Sequence, residues 1–270
     1  MNNTLIKGLQ VIELLAHSER PQNLTNIANN LGLAKSNVHR LLQALTELRY
    51  IVKDESTGAY TASIKLWELG SAVLSKLDLR QHAEHLMDKL MEKTEESVHL
   101  SVLDHFEVVY VHKIESPSPV RAYSQIGGRA PVYCVATGKA MLAFQSEGII
   151  RRVTENLTQI TPATITSPKL FMQEIEKIRK QGYAVNRGEW REGVYGVAAP
   201  IFDAPGHVIA AIGVSGPASR FKAAKIKSFA QLLLRAADEI TTSLGGGSGH
   251  QSLEHATRQM IARQGLNTSA

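Results

Sequence analysis

Residues 28–45, ANNLGLAKSNVHRLLQAL, place a single glycine between two amphipathic helical runs. Gly32 stands where a helix ends in a left-handed residue, and the chain has to re-enter a helix almost at once. The first run carries Ile27, Ala28 and Leu31, with Thr25 as the expected N-cap. The second is expected from about Ala34 to Leu48. Its apolar stripe is Val38, Leu41, Leu42, Leu45 and Leu48, and its other face is Lys35, Ser36, Asn37, His39, Arg40 and Gln43. Two helices joined by a short glycine turn form a helix-turn-helix. The second helix of such a motif packs its stripe inward and offers its polar face to the DNA major groove. Small hydrogen-bonding and basic groups in its first turn suit phosphates and base edges. A plain amphipathic surface helix would show the same stripe, so the flanking elements decide.

Upstream, Leu5, Leu9, Ile12 and Leu15 recur at helical spacing and predict an opening amphipathic helix, which HSERPQN breaks. Downstream, YIVKDESTGAYTAS reads as strand, polar turn with Gly58, and strand. Three helices and a hairpin make a winged helix-turn-helix over residues 1–65. Its DNA-reading candidates are Thr25, Lys35, Ser36, Asn37, His39 and Arg40. From Met1 to Leu66 there are seven Lys or Arg against five Asp or Glu, a balance of only +2. A duplex-binding module so weakly charged is expected to act in pairs. The whole chain carries +5, which is compatible with nucleic acid and equally ordinary for a protein without it.

KLWELGSAVLSKLDLRQHAEHLMDKLMEK is helical in composition. Leu66, Leu69, Val73 and Leu77 line one face, and Leu79, Ala83, Leu86 and Leu90 another. The two stripes do not share a phase, which predicts a break near 77–80. Residues 66–79 are expected to form a linker helix whose apolar side suits a dimer. From about Glu96 the period changes. SVHLSVLD and FEVVYVHKI read as strands joined near His105, ESPSPVRAYSQIGGRAP as turn, strand and Gly-rich loop, and CVATGKAMLAF as a short helix. Helices follow at about 147–155 and 168–181. GYAVNRG, VYGVAAPIFD and HVIAAIGVSG supply more strands, and FKAAKIKSFAQLLLRAADEITTSL a closing helix. The alternation predicts an α+β domain over residues 80–244. GGGSG has linker composition, and residues 245–270 are expected to be a flexible tail, with a short extra helix as the other possibility. Cys134 is the only cysteine, so no internal disulfide forms. No apolar run approaches the roughly 18 residues of a membrane span, and the N-terminus lacks signal-peptide order, so a cytoplasmic protein without membrane partners is expected.

In order along the chain, LTNIANNLGLAKSNVHRLLQAL, ESVHLSVLD, VVYVHKIESPSPVR, GGRAPVYCVATGKAMLAF, GYAVNRGEWREGV, VAAPIFD and GVSGP resemble the IclR-type bacterial transcriptional regulators over about residues 4–244. The resemblance implies an N-terminal winged helix-turn-helix, a linker helix and a C-terminal effector-binding domain of GAF-like fold. It also implies binding to double-stranded operator DNA as a homodimer or homotetramer, and repression or activation of catabolic genes in response to a small metabolite. Carried over position by position, the effector site of the family's founding member falls on Ala136 and Thr137, Asn186, Gly196, Gly213 and Ser215. The founder has Asp, Cys and Ser where this chain has Asn186, Gly196 and Gly213. That difference predicts a roomier, less acidic cavity for a larger organic acid. Ala136, Thr137 and Gly138 open a helix, whose unpaired N–H groups favour an anion, and Thr137 and Ser215 can donate to a carboxylate. Tyr133 and Trp190 could wall a ligand, tilting the choice between an aromatic and a sugar acid toward the aromatic.

Catalytic readings fare worse. TGKA lacks the first phosphate-loop Gly, since Tyr133 stands there, and Ala140 follows the Lys where Ser or Thr belongs. GVSGP ends in Pro217 where a nucleophile elbow needs Gly. His82, His85, His99, His105 and His112 lack the spacing of a zinc motif. No cofactor, metal or catalytic residue is expected. The alternative is a GAF-like domain that processes a small molecule without DNA.

Overall fold

The computed structural model describes residues 3–75 and 79–246, without the side chains of residues 71–75. The chain divides into two compact units, Met1–Leu77 and Asp78–Ala270.

The first unit runs α1 (Asn3–Ala16), α2 (Leu24–Leu31), α3 (Lys35–Glu47), β1 (Ile51–Lys53), β2 (Tyr60–Ala62) and α4 (Ile64–Ser75). Val11, Leu15, Ile27, Ala28, Val38, Leu42, Leu45, Ile51 and Tyr60 form its core. The buried face of α1 is rotated from the expected stripe toward Val11. Leu5 and Leu9 are 61% and 51% exposed, while Gly8 between them faces Leu41 of α3. Thr25 is not the N-cap of α2. The cap falls two residues earlier, at Asn23, whose side chain accepts from the Asn26 N–H at 2.8 Å. Gly32 ends α2 at φ 62°, with its N–H on Ala28 and Asn29 carbonyls, the left-handed stop expected of it. β1 and β2 pair antiparallel from Ile51↔Ala62 to Lys53↔Tyr60. Their turn is closed by Asp54, whose Oδ1 accepts from the Ser56 N–H and hydroxyl and from the Thr57 N–H. Those donors hold the carboxyl down to about 2.

The second unit runs α5 (Leu79–Thr94), β3 (Ser97–Asp104), β4 (Glu107–Ile114), β5 (Arg129–Pro131), α6 (Ala136–Leu142), α7 (Glu147–Thr154), α8 (Pro168–Gln181), β6 (Ala184–Arg187), β7 (Val194–Phe202), β8 (Val208–Pro217) and α9 (Ala223–Ser243), with a 3-10 turn at Ala218–Arg220. The strands make one antiparallel sheet in the order β5-β4-β3-β8-β7-β6. Helices α5 and α9 pack on each other and on the central strands, and α6 packs on β3, β7 and β8. Alternation along β8 turns Ala211 and Gly213 toward α6, and Ile212 and Val214 away from it.

Two expectations for this unit need correction. The buried row of α5 is Leu79, Ala83, Met87, Leu90 and Thr94, so Met87 takes the place given to Leu86. VRAYS is not a strand. Residues 115–128 form an irregular loop, since Pro117 and Pro119 deny a ladder its N–H donors. Side chains hold that loop instead. Arg220, paired with buried Glu96, reaches the Ser118 hydroxyl and the Val120 carbonyl, and Lys113 donates to the Ser124 carbonyl. Residues 77–78 of the expected break near 77–80, and residues 247–270 of the expected 245–270 tail, lie outside the described residues.

Candidate functional site

Two surfaces carry the functional residues, one in each unit. In the first, Lys35, Ser36, His39, Arg40 and Gln43 lie exposed on α3, and Asn37 is half-buried. The stripe beneath is held by Val38, Leu42 and Leu45. Arg40 donates through Nη2 to Asn37 Oδ1 at 2.9 Å, which orients the guanidinium along the helix. Ala34 precedes α3 with no side-chain cap, so the N–H groups of Lys35 and Ser36 face outward at the positive end of the helix. Thr25, in the first turn of α2, is exposed.

In the second unit a cavity of about 190 Å³ lies between the start of α6, the floor formed by β3, β7 and β8, the 115–128 loop and the loop after β6. Ala136, Thr137, Asn186, Gly196, Gly213 and Ser215 all line it, as does Trp190. Gly138 does not. Its Cα packs so tightly on the Val132 carbonyl that an added Cβ would lie 2.2 Å from that oxygen. Tyr133 is not a wall either, because its hydroxyl is bonded to Thr158 and its ring joins the core behind α6.

The two glycines do not open the space expected of them. A Cβ on Gly213 would meet the Ala198 Cβ and Val197 carbonyl at 2.9 Å and Thr137 Cγ2 at 3.0 Å. A Cβ on Gly196 would meet the Val214 carbonyl at 3.2 Å. Helix α6 and the neighbouring strand have closed over both positions. Asn186 is committed to the backbone. Its Nδ2 donates to the Cys134 carbonyl at 2.6 Å, and its Oδ1 accepts from the Gly188 and Glu189 N–H groups.

That bonding begins a buried scaffold. Lys139, fully buried in α6, donates to both oxygens of Glu189 at 2.8 and 2.7 Å and to Glu174 at 3.4 Å. Thr161 and Thr164 donate to the Gly188 and Glu189 carbonyls. The TGKA lysine thus fixes the 186–191 turn, which carries Trp190 and Arg191 into the cavity. Burial pushes the Glu189 carboxyl up and the Lys139 ammonium opposes it. Cys134, behind the turn, is buried with its thiol pushed up to about 12 and is therefore inert.

Sequence reading missed His99, Tyr110, Ser124 and Arg191, all of which line the cavity. His99 lies opposite Gly213 in the β3–β8 ladder. Its Nε2 is 2.6 Å from Ser215 Oγ, its Nδ1 is 3.1 Å from Ser124 Oγ, and its ring meets Tyr110 edge-on at 5.4 Å. Burial, with Lys113 nearby, pushes the imidazole down to about 4 and keeps it neutral. Its place on one face of SVHLSVLD was legible, but its partner strand was not. No lining residue is a carboxylate. Arg129 is neutralised by Asp104 and Glu107. Arg191 donates to the Tyr123 carbonyl at 2.9 Å and has no carboxylate partner among the described residues. Helix α6 is only seven residues long, so Arg191 is the main positive group the cavity presents. No group of three metal-ligating side chains comes together among the described residues.

Residues 71–242 match the family model "Bacterial transcriptional regulator IclR C-terminal", and residues 4–55 match "IclR helix-turn-helix domain". The HTH-type transcriptional regulator KdgR of Escherichia coli (strain K12) is 33% identical over 245 residues, 90% of this chain and 93% of that protein. The crystal structure of the Thermotoga maritima IclR superposes with a TM-score of 0.78 at 33% identity, over 91% of this chain and 100% of that one. An IclR homolog from Microbacterium hydrocarbonoxydans, crystallised with 4-hydroxybenzoate, gives a TM-score of 0.79 at 25% identity, over 90% of this chain and 99% of that one.

Proposed function

The chain belongs to the IclR family of bacterial transcriptional regulators, and from that premise we propose that its effector is a small organic acid held in the cavity under α6, with Arg191 taking the carboxylate. The protein is a DNA-binding regulator, and its relatives are regulators and not enzymes. The observation that carries the effector reading is electrostatic. The lining has no acidic side chain and one arginine without a carboxylate partner. Arg191 is exposed at the mouth of the cavity, and apart from its bond to the Tyr123 carbonyl its guanidinium is left to take a ligand carboxylate through a forked pair of hydrogen bonds.

Size narrows the ligand. About 190 Å³ is slightly more than the ~150 Å³ cavity that accepts a benzene ring. An acid of roughly one ring's bulk fits, walled by Tyr110 and Trp190. The 4-hydroxybenzoate held by the Microbacterium hydrocarbonoxydans homolog is of that size and charge. Lys35, Ser36, Asn37, His39 and Arg40 read operator DNA, with Thr25 toward the flanking phosphates. The protein works as a homodimer or homotetramer, and the regulated genes serve uptake or breakdown of the acid that binds.

The test is calorimetry and thermal shift with aromatic, sugar and short aliphatic acids and their amides, beside a footprint on the DNA flanking the gene. Binding of the folded state raises the melting temperature. Acids should do so and amides should not, and the tightest acid should change the footprint. If amides bind as well as the acids, the electrostatic reading is wrong.

A further inference from the structure

The cavity presents two serine hydroxyls joined through one imidazole. Ser215 Oγ lies on the floor against His99 Nε2, and Ser124 Oγ lies on the 115–128 loop against His99 Nδ1. Both serines line the cavity, and neither hydroxyl has another partner among the described residues. This inference rests on the cavity being the effector site.

Hydrogen positions in such a chain are linked. A neutral imidazole has one N–H and one bare nitrogen. If Nε2 carries the hydrogen, it donates to Ser215, whose own O–H then points into the cavity. Nδ1 must in that case accept from Ser124, which has only lone pairs left to offer. The other tautomer reverses both serines. Either way the neutral chain offers one outward donor and one outward acceptor. Both serines can donate outward only if His99 donates from both nitrogens, as an imidazolium.

We propose that the Ser215–His99–Ser124 chain makes the cavity selective for acids that pair an acceptor oxygen with a hydroxyl or other donor, against dicarboxylates that would place an acceptor at each serine. A dicarboxylate can bind only by bringing a proton to His99. Burial opposes that proton, and so does Lys113 of β4. The other titratable and charged groups around the ring are Tyr110 on the same strand, Glu115 paired with Lys113, and Arg191, whose charge acts on Tyr110. The facing parts of β8 and the 115–128 loop contribute the two serines.

The experiment compares matched pairs by calorimetry on the full-length protein from pH 8 to pH 6: 3-hydroxybenzoate against isophthalate, and 4-hydroxybutyrate against succinate. The better hydroxy acid should bind at least tenfold more tightly than its partner at pH 8, with no proton uptake when measured in two buffers. The dicarboxylate should take up one proton and gain up to tenfold for each pH unit lowered. His99→Gln keeps one donor and one acceptor, so it should keep the preference and lose the pH dependence. Ser124→Ala removes one end and should bring the paired acids within about threefold. Nitrogen NMR of His99 should show a neutral ring with the hydroxy acid and a doubly protonated ring with the dicarboxylate. Equal binding of both classes at pH 8 without proton uptake overturns the proposal and leaves the organic-acid reading standing. Failure of every acid to bind overturns both.

Discussion

His99 illustrates how much one side chain depends on its surroundings. Free in solution it titrates near 6.5, and in the folded chain burial holds it near 4. Between those values the unfolded chain binds a proton that the native chain does not, so native stability rises with pH through that window and is lost as pH falls from about 6.5 toward 4. The shift corresponds to about 3 kcal/mol at most. Urea unfolding of the wild type and of His99→Gln at pH 7 and pH 4.5 should show a smaller pH loss in the variant, and equal losses would place the acid sensitivity elsewhere. Gly213 makes a second residue-scale case. Its missing side chain is an obligate close approach, because Val197 and Ala198 of β7 and Thr137 of α6 all rest against it. Gly213→Ser is therefore expected to cost about 1–3 kcal/mol of stability through overpacking, read by chemical denaturation. A neutral substitution would mean that β7 and α6 can both give way, and that the cavity can enlarge.

At the scale of elements, α6 with the 186–191 turn forms one unit built on Lys139 and Glu189. Removing one partner leaves the other buried and uncompensated. Lys139→Met should destabilise the second unit by about 3–5 kcal/mol, and Lys139→Met with Glu189→Leu should recover much of that. Acid binding should fall in both variants, since Arg191 depends on the turn. A double variant as unstable as the single one would show that packing, and not charge, holds the turn. Helix α3 is the second such element. Arg40 is held along it by Asn37, so Arg40→Ala should weaken operator binding by about 1–3 kcal/mol if it reads a guanine. Asn37→Ala should reproduce part of that loss through the freed guanidinium. An unchanged footprint with Arg40→Ala would remove it from the reading set.

The whole molecule raises the question of copies. The first unit leaves Leu5, Leu9, Ile64 and Trp67 substantially exposed, at 61%, 51%, 70% and 68%, and its net charge is small. Both features fit a protein that reads two half-sites as a pair. Half-sites are expected one helical turn apart, or a multiple of it. Sedimentation should show a dimer or tetramer at micromolar concentration, and Trp67→Glu should shift it toward the monomer with loss of the footprint. A monomer that still protects a specific site would contradict this.

The sequence alone determined whatever depends on local spacing. The glycine between two amphipathic runs fixed the helix-turn-helix, because Gly32 can take a positive φ at little cost, and the period of apolar residues fixed α3, α8 and most strands. The resemblance to the IclR-type regulators, carried over position by position, implied one site for Ala136, Thr137, Asn186, Gly196, Gly213 and Ser215, and all six line one cavity. The tertiary structure decided what those positions do. Whether Gly213 leaves a void or is closed over depends on how closely β7 and α6 settle against it. Whether Asn186 meets a ligand or the backbone depends on the turn that follows it. His99, Ser124 and Arg191 come from a strand, a proline-broken loop and a turn far apart in the chain, and only the β3–β8 pairing and the Lys139–Glu189 anchor bring them together. Local propensity records the period of a helix or strand, but it carries no record of which distant surface a side chain will face. That choice is made by long-range packing, in which burial and hydrogen-bond satisfaction are settled for the molecule at once.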